Sequence, residues 1–254
     1  EAAGMVSNPL VKIIDASTAF RTASEWTYGF PELTLDQERL IRNAKRVSNP
    51  GCYPTGALAM IRPLRDAGIL PHDQTVTVNA ISGYSGGGKQ LIDLCENHPD
   101  DIRGSAYCLY GLDQKHKHLP EMRVHGGLNK DPNFLPAYSN SFYRGMLVNI
   151  ALDLKELKRN GGKSTNGKHV HEVLSKHFAD RRYVFVEPLE TELEKGYVLS
   201  PLEQNETNNL QLRVFWNAEK ERVILTACLD NLGKGASGAA VQNMELMLGL
   251  SPAE

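Results

Sequence analysis

After Asn8-Pro9 the chain runs Leu10-Val11-Lys12-Ile13-Ile14-Asp15, an almost unbroken apolar stretch. Such stretches mark strands buried on both faces of a parallel sheet. A parallel strand requires neighbours, and these are reached only through crossover connections, usually helices. The N-terminal side is therefore expected to be α/β. Glu1 to Val6 reads as the tail of a helix, and nothing upstream provides the parallel neighbours. The chain is expected to lack the N-terminal part of such a domain. The loop Asp15-Ala16-Ser17-Thr18-Ala19-Phe20-Arg21 follows the carboxyl end of the strand. Open parallel sheets bind ligands at that edge, so the loop is a candidate cofactor wall. The alternative is a plain turn rich in small residues.

The rest of the chain is patterned differently. Val76, Val78 and Ala80 alternate with Thr75, Thr77 and Asn79, predicting a half-buried strand over Gln74–Ile81. Leu210, Leu212, Val214 and Trp216 alternate with Gln211, Arg213 and Phe215, and Arg222 to Leu229 is apolar again. The polar residues 217–221 between them predict an antiparallel hairpin. Met146 to Leu152 and Tyr183 to Val186 read as further strands, and Leu189 to Asn209 as a polar surface excursion. Trp26-Thr27-Tyr28-Gly29-Phe30 is an aromatic plug. Thr34 and Gln37 have capping-box spacing for a helix over about Leu35 to Arg46, and Val170, Val173, Leu174 and Phe178 mark another. The expected class is α/β plus α+β, with a mixed sheet in the larger part.

Bulk properties narrow the function. At 254 residues the chain can bury a sizeable core, as one large domain or two smaller ones. A net charge of −2 argues against nucleic acid or an anionic membrane as the main partner. No apolar run has transmembrane length. The four cysteines, Cys52, Cys95, Cys108 and Cys228, lie far apart without metal-ligand spacing, so no metal and a reducing compartment are expected.

The chemistry centres on Ser48-Asn49-Pro50-Gly51-Cys52-Tyr53-Pro54-Thr55-Gly56. A Pro-Gly turn precedes Cys52, and an apolar helical pattern follows (Ala57, Leu58, Met60, Ile61, Leu64), with Pro63 expected to bend it. Cys52 thus falls at a helix N-terminus, where free N–H groups stabilise a thiolate and are expected to lower its pKa. The same N–H groups can hold an oxyanion if the sulfur attacks a carbonyl. The bland reading is a small buried cysteine after a turn.

Gly83 to Lys89 matches a phosphate loop for seven positions, but Gln90 stands where Mg²⁺ binding needs Ser or Thr, which argues against a nucleotide triphosphatase. An anion pocket built from glycine N–H groups and Lys89 remains open beside a merely flexible turn. His116 and His118, read as extended chain, point the same way, with Glu121 near enough to orient one of them. They are open to three readings: solvated loop residues, metal ligands needing a further donor, or the acid/base partner of Cys52. Arg144 is either a bidentate clamp for a substrate anion or a surface arginine. Gly233, Gly235 and Gly238 match a dinucleotide fingerprint whose following strand and acidic residue are lacking, although such a loop before a helix can still wall a cofactor site.

Four motifs together resemble one family, N-acetyl-gamma-glutamyl-phosphate reductase in its shorter bacterial subtype. They are Asn49 to Gly56, Ser82 to Lys89, His116 to Glu121, and Asp230-Asn231-Leu232-Gly233-Lys234-Gly235-Ala236, in the family's order. The resemblance runs from about Ile13 to Met247. It implies a glyceraldehyde-3-phosphate-dehydrogenase-like catalytic and dimerisation domain over 51–229. It also implies a partial Rossmann-like NADP-binding domain over 1–50, completed by 230–254, whose glycine-rich βαβ unit is absent here. The implied reaction is NADPH-dependent reduction of N-acetyl-L-glutamyl 5-phosphate to the 5-semialdehyde, through a Cys52 thioester, in arginine biosynthesis. His118 would be the acid/base with His116 a substrate contact, or the reverse. Asn49, Ser85, Gly86, Glu121 and Arg144 would bind substrate. Ser17, Asn231, Gly233 and Lys234 would bind NADP(H). The family implies a cytoplasmic homodimer or homotetramer. Alternatives are reduction of a related acyl phosphate (aspartyl or aminoadipyl), a Cys-His hydrolase without nicotinamide cofactor, and a non-catalytic fragment.

Overall fold

The computed structural model describes residues 2–98, 100–105 and 107–250. Glu1 and residues 251–254 of the expected nucleotide-binding part lie outside them. Strands β1 (Ile13–Asp15), β2 (Thr27–Tyr28) and β3 (Arg46–Ser48) form a small parallel sheet in the order β1-β3-β2. The expected long strand from Leu10 is reduced to three residues, with Leu10 87% exposed. Within the described residues β1 pairs with β3 alone, so its other edge gains no partner to extend it.

Helix α1 (Gln37–Asn43) is shorter than the capping-box spacing suggested. Gln37 does not cap it; its Nε2 donates to the Tyr28 carbonyl at 2.5 Å. The aromatic segment does pack inward, with Trp26, Tyr28 and Phe30 buried.

The larger sheet has seven strands: β4 (Thr77–Gly83), β5 (Tyr107–Leu109), β6 (Asn133–Ser139), β7 (Met146–Asp153), β8 (Val184–Val186), β9 (Leu210–Asn217) and β10 (Arg222–Leu229). Their order is β5-β6-β4-β7-β10-β9-β8, with β4–β6 and β8–β9 parallel and the rest antiparallel. The predicted hairpin is β9–β10, running from Arg222 opposite Asn217 to Leu229 opposite Leu210.

Helix α2 (Cys52–Asp66) lies against this sheet and is buried along most of its length. It comes close because Gly56 has no side chain: a Cβ there would meet Val148 Cγ2 at 2.9 Å and Ala227 Cβ at 3.3 Å. The helix continues through Pro63, in its last turn, to Asp66. Four helices follow: α3 (Gly88–Asn97), α4 (Ile102–Ser105), α5 (Leu119–Gly126) and α6 (Leu154–Arg159). Helix α7 (Gly167–Phe178) packs with α5 on α2, burying Val170, Leu174 and Phe178. The side chains of Asp153 and Asn166 cap α6 and α7. After β10 the chain makes a π-helical turn (Gly233–Ser237) and enters α8 (Gly238–Leu248). Helix α8 returns to the small sheet, where Leu246 and Met247 join Ile41 and Val47 in a second, smaller core.

The excursion 189–209 is not wholly a surface loop. Gln204 is buried, and the Glu206 N–H bonds Asp230 Oδ2 at 2.8 Å, tying the excursion to the chain after β10. No helix among the described residues is long and apolar enough to cross a membrane.

Candidate active site

Several chain segments end around one cavity of about 770 Å³. Asn49, Pro50 and Gly51 follow β3, Ser82 and Gly83 end β4, and Tyr138 lies near the end of β6. Asn231 follows β10, so the convergence is a product of sheet order rather than of sequence proximity. Cys52 opens α2 on the cavity wall, behind Gly51 as N-cap.

Gly51 lies close against two side chains. A Cβ there would lie 2.5 Å from His118 Nε2 and 2.7 Å from Arg21 Nη1. Gly235 allows the π-helical turn to press on the nucleophile, since its Cβ would lie 2.9 Å from Cys52 Cβ.

Helix α2 does not lower the pKa of its first residue overall. Burial pushes the Cys52 thiol up to about 11, the Glu121 carboxylate adds to the rise, and the Tyr53 and Cys52 N–H groups and Arg21 oppose it. The expectation of a depressed thiol is thereby corrected: excluding water from the sulfur costs more than two N–H groups and a guanidinium return. Fewer donors remain than a bare helix end would offer. The Gly51 N–H is spent on Glu121, and Pro54 has none, which leaves Cys52 and Tyr53 to face an oxyanion.

His116 and His118 both line the cavity, though not as extended chain. They sit in a turn in which the His118 N–H donates to His116 Nδ1 at 3.2 Å, with ring centroids 4.7 Å apart. His118 is the N-cap residue of α5, only 5% exposed, and its Nδ1 has no hydrogen-bond partner among the described residues. Burial drives its pKa well below that of an ordinary imidazole, helped by His116, Arg21 and Lys117. Burial likewise brings His116 down to about 4. Both rings are neutral at neutral pH, the state in which an imidazole can accept a thiol proton.

Ser85 and Gly86 also line the cavity, in a 3₁₀ turn between β4 and α3. Asn231 holds that turn in place: its Nδ2 donates to Ser85 Oγ at 2.9 Å while its Oδ1 accepts the Gly145 N–H at 2.8 Å. Asn49 donates to the Ala236 carbonyl and accepts from Asn243 Nδ2, joining the cysteine segment to the π-helical turn and α8.

The structure does not bring the remaining expected residues to the cavity. Lys89 is exposed on α3 and does not join the glycine turn as an anion pocket. Arg144 lines a separate depression together with Gly233, its Nη1 3.7 Å from both Glu206 and Asp230. Lys234 is buried, with Nζ 2.9 and 3.0 Å from the two Glu32 oxygens. Ser17 is exposed and donates to Asp15 Oδ1, and its neighbour Ala16 reaches the cavity in its stead. Glu121 lies behind the wall, 1% exposed, bonded to Tyr28, Gly51 and Arg21. Arg21, read only as part of a loop in the sequence, does line the cavity. Its signal was the carboxyl-end position after β1; what it faces depends on Glu121, 100 residues away.

Comparison with known proteins places the chain in a family. The family model "Semialdehyde dehydrogenase, dimerisation domain" matches residues 52–231. A Burkholderia lata protein named N-acetyl-gamma-glutamyl-phosphate reductase is 46% identical over 249 residues, which are 98% of this chain and 77% of that protein. The chain belongs to this reductase family. A Brucella suis protein of the same name is 51% identical over 240 residues, covering 94% of this chain and 75% of its own length. Among solved structures, aspartate semialdehyde dehydrogenase II from Vibrio cholerae superposes with a TM-score of 0.66 at 17% identity, covering 93% of this chain and 72% of that one. Aspartate semialdehyde dehydrogenase from Francisella tularensis gives 0.62 at 14%, covering 92% and 74%. These two likenesses establish the fold, a mixed seven-stranded sheet beside a small parallel one. The family is one of oxidoreductases, and the fold is shared with semialdehyde dehydrogenases.

Proposed function

We propose that the protein reduces N-acetyl-L-glutamyl 5-phosphate to N-acetyl-L-glutamate 5-semialdehyde with NADPH, in arginine biosynthesis. The observation that carries this reading is the placement of Cys52, at a helix N-terminus, on one cavity with two neutral histidines. The acyl carbonyl lies over Cys52, and His118 takes the thiol proton as the sulfur attacks. The carbonyl oxygen becomes an oxyanion facing the Cys52 and Tyr53 N–H groups. Collapse expels phosphate and leaves a thioester, which splits one hard step into two easier ones. Protonated His118 is then placed to return its proton when the reduced carbon releases the sulfur. His116 holds the backbone of His118 and presents its other nitrogen to substrate.

Ala16, Ala236 and Ala240 line the cavity and present nothing larger than methyl groups, which suits a flat nicotinamide ring. When bound, the cofactor supplies the hydride. Asn231 lines the same cavity, and the choice of NADP(H) over NAD(H) belongs to the proposal. The domain division is proposed too: 1–50 with 230–254 as part of a dinucleotide-binding domain, 51–229 as the catalytic and dimerisation domain. The parallel order β1-β3-β2, with α8 packed on α1 and β1, supports it. The family model's description supports a homodimer or homotetramer. Four free cysteines fit the cytoplasm.

The test is turnover of the intact protein with NADP⁺, phosphate and N-acetylglutamate semialdehyde, followed by NADPH absorbance, in wild type and Cys52→Ser. Turnover lost in the serine variant with the fold retained is expected. A fully active Cys52→Ser enzyme overturns the reading, and faster turnover of aspartyl or aminoadipyl semialdehyde reassigns the substrate.

A further inference from the structure

Glu121 is a carboxylate with every contact made as an acceptor and no access to solvent. Its Oε1 accepts the Gly51 N–H at 2.7 Å and the Tyr28 hydroxyl at 2.6 Å, and its Oε2 accepts Arg21 Nη1 at 3.2 Å. Arg21 is used as fully. Its Nε donates to the Asn49 carbonyl at 2.9 Å and its Nη2 to the Ala16 carbonyl at 3.1 Å. The partners come from four places: α5, β2, the loop after β1, and the turn ahead of α2. His125 backs the cluster, with Nε2 2.6 Å from the Arg21 carbonyl and its ring stacked on Tyr28 at 3.6 Å between centroids. What this network grips is the residue directly before the nucleophile.

We infer that Tyr28, Glu121 and Arg21 form a buried clamp that positions Cys52, and that the two charges of the clamp oppose each other in setting how readily its thiol ionises. The inference rests on Cys52 being the nucleophile. The geometry argues for more than packing. A buried ion pair adds little to stability compared with apolar residues of the same shape, so the fold alone does not call for one here. Glu121 also removes the Gly51 N–H from the cavity, which restricts an incoming oxyanion to the Cys52 and Tyr53 donors. The other titratable groups lining the cavity are His118 at the start of α5, His116 and Lys117 in the turn before it, Tyr53 on α2, Tyr110, and Tyr138 on β6. The histidines are neutral, and Glu121 and Arg21 are the opposed charges that raise and lower the thiol's pKa.

Glu121→Gln and Arg21→Gln are the discriminating variants, and neither assay requires turnover. Iodoacetamide labelling of Cys52 is followed by peptide mass spectrometry between pH 7 and 10 on the intact protein. Below its midpoint the thiolate fraction changes tenfold per pH unit. Loss of one neighbouring charge moves a midpoint by about one unit. Glu121→Gln is therefore expected to label roughly tenfold faster and Arg21→Gln roughly tenfold slower, with the double variant near wild type. Unfolding would free the thiol and speed labelling in both variants, so the slowing in Arg21→Gln is the decisive arm. Tyr28→Phe should shift labelling in the same direction as Arg21→Gln, because Glu121 loses a neutralising donor. Equal labelling in all variants, or acceleration in Arg21→Gln, overturns the clamp. If Cys52→Ser proves fully active while the labelling pattern holds, the reductase reading fails; the two charges then still set the ionisation of the thiol, but the clamp positions no nucleophile.

Discussion

Lys234 offers the sharpest division between a binding residue and a structural one. Its side chain is buried, with Nζ bonded to both Glu32 oxygens at 2.9 and 3.0 Å and to Gln242 Oε1 at 2.6 Å. The rings of Phe30 and Tyr183 lie 5.7 and 5.4 Å from the ammonium. Burial lowers the lysine pKa and Glu32 opposes that fall. In Lys234→Met the Glu32 carboxylate, itself buried, keeps only Gln242. Breaking a buried pair from one side costs about 3–5 kcal/mol. For a chain of this size that lowers Tm by about 10 °C. Lys234→Met combined with Glu32→Leu should recover most of the loss, since neither charge is then stranded. Differential scanning calorimetry of both variants measures this. An unchanged Tm in Lys234→Met, together with a raised KM for NADPH, would falsify the structural assignment and restore the lysine to the cofactor site.

Gly51→Ala should leave a folded protein with kcat/KM down about 100-fold or more, because His118 and Arg21 must both move to admit the methyl group; an unchanged kcat/KM would sink that account. Gly167→Ala makes the complementary case at the start of α7, where a Cβ would lie 2.0 Å from Trp216 Cγ. Urea unfolding should show a loss of about 1–3 kcal/mol with activity per folded molecule intact, and reduced specific activity would contradict it. The depressed His116 and His118 predict acid sensitivity. Well above pH 6.5 both states bind no proton, whereas as pH falls through 6.5 towards 4 the unfolded chain binds protons that the folded one refuses. Stability is therefore full well above 6.5 and falls as pH drops, by about 1–2 kcal/mol for His116 alone once its partial exposure to solvent is discounted. A flat stability profile from pH 6.5 to 4.5 would refute it, and His116→Gln should lack that part of the slope.

Much of this protein is local and therefore legible in the chain. The β9–β10 hairpin follows from alternation and a polar turn, and α2 from an apolar period that begins directly after a Pro-Gly turn. Cys52 as the first residue of that helix needed only adjacent residues to be read, whereas the same spacing left His116 and His118 open to three readings until the fold put them on one cavity with Cys52. Other features depended on neighbours that no spacing reveals. Whether an arginine meets substrate or a carboxylate is decided by what packs beside it, so Arg144 looked like a clamp and Arg21 did not. Lys234 sits in a glycine-rich loop of the kind that walls cofactors, yet the fold brings Glu32 to it from 202 residues away. The reactivity of Cys52 shows the same division. Its helix-terminal position, which favours a thiolate, is written in the order of residues along the chain. The burial that outweighs that position, and the Glu121–Arg21 pair that tunes it, arise only when distant segments close around the sulfur and exclude water.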